Sequence, residues 1–95
     1  MEFLSELEQI IAERAKASPD TSYTAKLLSE GLLRLRQKVG EEAVETILAC
    51  EQGKGSLAQE TADLFFHVLV LLYGYGVTLK DVEDVLRKRH QTMQK

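Results

Sequence analysis

The sequence predicts an all-α protein, an antiparallel bundle of four to five helices. Three observations carry that prediction. A single proline, no tryptophan and few runs of β-branched residues favour helix over strand. Apolar residues recur at the three- and four-residue spacing of one helical face through most of the chain. The segments between these runs are a few residues long, which makes successive helices antiparallel neighbours. Ninety-five residues with 44% hydrophobic content are expected to form one domain over residues 1–95, small enough for a partner subunit to add useful burial.

The first helix is expected from Phe3 to Ala17, with Phe3, Leu4, Leu7, Ile10, Ile11 and Ala15 on one face. Ser18-Pro19-Asp20 ends it, because a proline disfavours helix at the preceding residue. Thr21 and Ser22 are candidate N-caps for a second helix carrying Leu27, Leu28, Leu32, Leu33 and Leu35, with Gly31 as a point of interruption. A third helix is expected from about Val39 to Glu51, burying Val39, Ala43, Val44, Ile47 and Leu48, and ended by Gly53-Lys54-Gly55. Ser56 and Gln59 have capping-box spacing for a fourth helix that runs to about Tyr73 and closes at Gly74-Tyr75-Gly76. Thr78 and Asp81 give a second capping signal, for a fifth helix burying Val82, Val85 and Leu86.

Several function classes are excluded or disfavoured by composition. A net charge of -3 gives no general attraction to nucleic acid or to an anionic membrane, so an anionic ligand needs a local basic cluster or a metal. The longest apolar run, Val68 to Tyr73, is far short of the roughly 20 residues that span a bilayer. One cysteine, Cys50, and an N-terminus without a basic signal region suggest a reduced, cytoplasmic protein, with Cys50 a small buried apolar residue.

Chemistry is concentrated between Lys38 and His67. Glu42/Glu45 and Glu60/Asp63 are two carboxylate pairs at i,i+3 spacing, which puts the members of each pair on one helical face. With a short connection and a rise of about 1.5 Å per residue, Glu45 lies roughly 12 Å below Gly53 and Glu60 and Asp63 lie roughly 6 and 10 Å below Ser56, so the two pairs share a level. Azimuth divides them. Lys38, Glu41, Glu42 and Glu45 lie opposite the apolar arc of the third helix and read as a solvated face. Glu60, Asp63 and His67 sit on a helix that is apolar at nearly every azimuth after Asp63 and is therefore expected to be buried all round.

Clustered carboxylates repel one another unless a cation compensates them. An all-oxygen set suits Mg²⁺ or Mn²⁺, and no Cys/His set for zinc is present. His67, four residues after Asp63, either orients that carboxylate or is satisfied by Asp63 or a backbone carbonyl at a helix interface. Lys26, Arg34, Arg36 and Lys38 place four cations in thirteen residues against one acid, Glu30, either as a solvated face or as a phosphate-binding flank. Tyr23, Tyr73 and Tyr75 pack in the core or at its rim, or stack on a base.

The run Lys38-Val39-Gly40-Glu41-Glu42-Ala43-Val44-Glu45, with Glu60-Thr61-Ala62-Asp63-Leu64, His67 to Leu72, and Ser22 to Leu27, closely resembles the phosphoribosyl-ATP pyrophosphohydrolases of histidine biosynthesis. These belong to the all-α, MazG-like pyrophosphatases, and the match covers nearly the whole chain. The resemblance implies Mg²⁺-dependent hydrolysis of phosphoribosyl-ATP to phosphoribosyl-AMP and pyrophosphate. It implies Glu42, Glu45, Glu60 and Asp63 as metal ligands, with Glu41, Glu42 and Glu45 as the catalytic acids, one of which takes the proton of the attacking water. It makes Lys26, Arg34 and Lys38 candidates for phosphate, together with Arg87 and Arg89 reaching from a partner subunit, since the family is dimeric. Some relatives are fused to the cyclohydrolase of the next step; this chain is expected to be the single-function form. Two rivals stay open: a hydrolase of non-canonical or deoxynucleoside triphosphates with the same metal motif, and a non-enzymatic helical dimerisation module.

Overall fold

A computed structural model describes residues 2–93, so the outermost residues of the expected 1–95 domain lie outside the described residues. The described residues form five helices and no strand: α1 (Glu2–Arg14), α2 (Tyr23–Ser29), α3 (Leu32–Ala49), α4 (Lys54–Gly74) and α5 (Leu79–Met93). The all-α expectation holds. Among them, no single helix is long and apolar enough to cross a membrane.

The fold is built on the α3/α4 hairpin, closed by the short turn over residues 50–53, with α1 and α2 laid against it. Ile11, Leu27, Leu35, Leu69 and Val70, from four different helices, form the buried centre. Ser22 couples two of these helices. Its hydroxyl donates to the Arg14 carbonyl at the end of α1 (3.0 Å) and accepts the Ala25 amide (3.1 Å), which caps α2. Of the two candidate caps, Ser22 is the one used.

Helix α1 ends at Arg14, short of the expected Ala17, and glycine sets two further boundaries that differ from expectation. Gly31 has φ 97°, a region costly for any residue with a Cβ, so α2 stops at Ser29 and the leucines from Leu32 onward open α3. Gly53, at φ 106°, lets the chain enter α4 at Lys54. Ser56 therefore lies inside the first turn and the Ser56/Gln59 capping box does not form. The weaker signal is the one realised: the Thr78 amide donates to the Asp81 carboxylate (2.9 Å) and the Asp81 amide to the Thr78 hydroxyl (3.1 Å). Glu8 of α1 adds a further cap, accepting the Leu79 amide at 2.6 Å.

The inward face of α3 is also different. Val44, Ile47 and Leu48 are exposed (55%, 69% and 60%), while Leu35, Glu42 and Ala49 are buried and Val39 and Thr46 are half-buried. Positions 35, 39, 42, 46 and 49 alternate steps of four and three, the seam of a helix packed along a neighbour. An acid and a hydroxyl occupy that seam. Helix α4 is not covered all round within one chain, since Phe65 and Tyr73 are exposed. A break bends α5 away from α4 by 107°, leaving Val85 and Leu86 exposed and opening an apolar groove that includes Leu64, Phe65, Val68 and Val82. Cys50, at the end of α3, is exposed and not a core residue, because the turn carries it out of the seam.

Candidate active site

Helices α3 and α4 bring three of the four predicted metal-binding acids together. One carboxylate oxygen each from Glu42, Glu60 and Asp63 lies within 4.8 Å of the others. Glu42 is buried, Glu60 half-buried and Asp63 exposed, so the cluster opens from the α3/α4 seam towards solvent. Burial has left two oxygens unserved: Glu42 Oε2 and Glu60 Oε2 make no hydrogen bond within the chain. A buried carboxylate oxygen without a donor is costly, and two of them in one cluster of acids fit a hard divalent cation. Glu42, Glu60 and Asp63 would hold it.

Glu45 lies beside this set. Its carboxyl is held above its ordinary range, chiefly by the negative charge of Glu42, then by burial and the charge of Glu60. Glu41 stands apart: it is exposed and ion-paired with Arg34 at 3.3 Å. Lys38 Nζ lies 3.4 Å from Glu42 Oε1, the direct cationic partner of the buried acid. Burial works against its ammonium, but the hydrogen bond to Glu42 and the nearby negative groups keep its pKa above the ordinary value.

Lys38 also borders a cavity of about 110 Å³ that it shares with Tyr23, Lys26, Leu27, Glu30 and Arg34. Three of the four cations of the expected phosphate flank, Lys26, Arg34 and Lys38, drawn from α2 and α3, thus meet at one place, while Arg36 does not line it. The turn at Gly31 makes this possible, because it folds the segment bearing Lys26 back beside the first turns of α3. Arg87 and Arg89 border neither this cavity nor the acid cluster within one chain; Arg87 is paired with Glu83 of its own helix at 2.7 Å.

His67 does not touch the Asp63 carboxylate. Its Nδ1 is 2.7 Å from the Asp63 carbonyl oxygen and its Nε2 is 2.9 Å from the Tyr23 hydroxyl, which matches the helix-interface role. Tyr23, half out in solvent, stacks on Phe66 at a centroid distance of 6.0 Å and meets the His67 ring edge-on. Sequence reasoning missed Thr46, whose hydroxyl lies between the Glu42 and Glu60 carbonyls. The available signal was its place four residues after Glu42, on the same helical face as that acid.

The sequence profile of the family described as phosphoribosyl-ATP pyrophosphohydrolase matches residues 4–90. The chain belongs to the phosphoribosyl-ATP pyrophosphohydrolase family. It is 53% identical over 90 residues to the histidine biosynthesis bifunctional protein HisIE of Escherichia coli (strain K12), which covers 94% of this chain and 44% of that protein. The HisIE protein of Vibrio parahaemolyticus is 49% identical over 92 residues, 96% of this chain and 44% of the relative. That of Photobacterium profundum is 49% identical over 89 residues, 93% of this chain and 43% of the relative. The chain thus spans less than half the length of these curated relatives. The acid cluster, the Lys38 contact and the Tyr23–His67 pair all lie inside the matched segment.

Proposed function

We propose that this chain hydrolyses the α,β-phosphoanhydride of phosphoribosyl-ATP, giving phosphoribosyl-AMP and pyrophosphate, as a cytoplasmic Mg²⁺-dependent enzyme of histidine biosynthesis. Residues 1–95 act as one catalytic domain. The observation that carries the reading is Lys38, which borders the cationic cavity and at the same time pairs with the buried Glu42 of the acid cluster. A polyanionic substrate and a divalent cation would therefore meet at one residue.

Glu42, Glu60 and Asp63 hold Mg²⁺, with Glu45 at the edge of the set; Mn²⁺ suits the same oxygens. Bound there, the cation supplies charge neutralisation at the phosphate oxygens and activation of water. Lys26, Arg34 and Lys38 bind and align the phosphate chain, so that the scissile phosphorus is held against the acids. Glu45, beside the metal-holding acids and not one of the three that converge, takes the proton of the attacking water. Glu41 has a weaker claim, being committed to Arg34.

The enzyme acts as a homodimer. Val44, Ile47 and Leu48 on α3, Phe65 on α4 and Leu86 on α5 are large apolar side chains left exposed within one chain, and a second copy covers them. Arg87 and Arg89 would then reach the partner's substrate.

The test is to incubate the protein with Mg²⁺ and either phosphoribosyl-ATP or a panel of ordinary and deoxynucleoside triphosphates, and to measure pyrophosphate. Release from phosphoribosyl-ATP, lost in Asp63→Asn, is the expected result. Release only from deoxynucleotides would move the chain to another pyrophosphatase activity. No release from any substrate would reject the enzyme reading.

A further inference from the structure

We propose that Thr46 is a positioning residue that sets the separation of Glu42 and Glu60, an inference that rests on the metal reading above. The Thr46 hydroxyl lies 2.8 Å from the Glu42 carbonyl on its own helix and 3.1 Å from the Glu60 carbonyl on the facing one. A hydroxyl has one proton, and here it is shared between two backbones. Bonding back to the residue four positions earlier is ordinary for a threonine inside a helix. Reaching the second helix is not, and neither carbonyl needs it, since each sits within a helix where the amide four residues on can serve it. What the contact fixes is the approach of α3 to α4.

That approach is fixed at the level that matters. The two carbonyls belong to the same residues whose Oε2 atoms are buried without a hydrogen-bond partner. Each carboxylate hangs on a backbone tied to the other through one oxygen, Thr46 Oγ1. A cation site needs its oxygens held to a few tenths of an ångström. Three acids that repel one another push the two helices apart when no cation is present, and the Thr46 bridge resists that push.

The experiment measures Mn²⁺ affinity by calorimetry and by the loss of the free-ion EPR signal, with no substrate present, in wild type, Thr46→Ser and Thr46→Val. Serine keeps the hydroxyl; valine keeps the branched shape and removes it. The expected result is a Kd about 10- to 100-fold weaker for Thr46→Val, near-wild-type affinity for Thr46→Ser, and unchanged helical content in both. Equal affinity in Thr46→Val and wild type would overturn the proposal and leave the metal reading intact. Absence of Mn²⁺ binding in wild type would reject both together. If Thr46→Val does not fold, Thr46→Ala takes its place under the same criterion.

Discussion

The Tyr23 hydroxyl on α2 lies 2.9 Å from Nε2 of His67 on α4, and the opposite nitrogen of that ring lies 2.7 Å from the Asp63 carbonyl oxygen. A carbonyl oxygen can only accept, so Nδ1 carries the proton. In the neutral ring Nε2 then accepts, and Tyr23 donates. The buried imidazole has both nitrogens satisfied, and α2 is pinned to α4 one helical turn from the acid cluster. Tyr23→Phe keeps the stacking on Phe66 and removes the donor. It should lower stability by about 1–3 kcal/mol, read from the urea midpoint, because the buried Nε2 loses its partner. An unmoved midpoint would show that water replaces the phenol at no cost.

Lys38 compensates Glu42 when no cation is bound. In Lys38→Met the metal-free protein should lose about 1–3 kcal/mol, since a buried carboxylate is left facing other carboxylates. The thermal upshift produced by Mg²⁺ should then be larger than in wild type, because the added cation replaces the missing one. A smaller upshift would mean that Lys38 orients Glu42 for the metal and does not stand in for it.

Glu45 links stability to pH. Its carboxyl is raised above the ordinary 4.5, first by Glu42, so the folded protein binds this proton more tightly than the unfolded chain does. The charged form therefore destabilises the fold above the raised value, and that penalty is relieved as pH falls through it to about 4.5. Glu45→Gln should accordingly raise the metal-free melting temperature at pH 8, with the gain fading as pH is lowered towards 4.5. A gain independent of pH would point to a cause other than charge.

Gly40 sits in the middle of α3, and a Cβ built there would meet no atom of the chain within 4 Å. Its backbone is helical, so the residue gives up helix propensity for no contact visible within one subunit. Gly40→Ala should stabilise the protein by about 1 kcal/mol in chemical denaturation. Destabilisation would indicate that another surface, such as a second copy, closes on this position.

The sequence made the helical class, the α3/α4 hairpin and the level of the acids legible, because these follow from periodicity, loop length and rise. It did not reveal which face of α3 turns inward. Val44, Ile47 and Leu48 form the more apolar arc, and a rule that sends apolar residues inside turns Glu42 outward. The chain does the opposite because the seam is chosen by packing against α4, where Leu35 and Ala49 anchor the two ends and Glu42 and Thr46 fall between them. A functional acid in a seam breaks local consistency, and pattern reading fails at such places. Caps depart from the sequence pattern for a related reason. Gly53 costs little backbone strain at positive φ and so overrides the Ser56 signal, whereas Thr78 and Asp81 had no such competitor. The pairing of His67 with Tyr23 joins residues 44 apart in the chain, a relation that spacing along one helix does not carry.

The hairpin also has a kinetic consequence. Glu42, Glu45, Glu60 and Asp63 all lie on α3 and α4, joined by a turn of four residues, and contacts this local form early as a chain folds. Closing the hairpin gathers like charges, so the acids oppose the first step of folding as well as the finished structure. Mg²⁺ should then act mainly on the folding arm of a chevron plot, speeding refolding while changing the unfolding rate little. The ion would be a participant in assembling the fold, not a passenger taken aboard after the helices have docked.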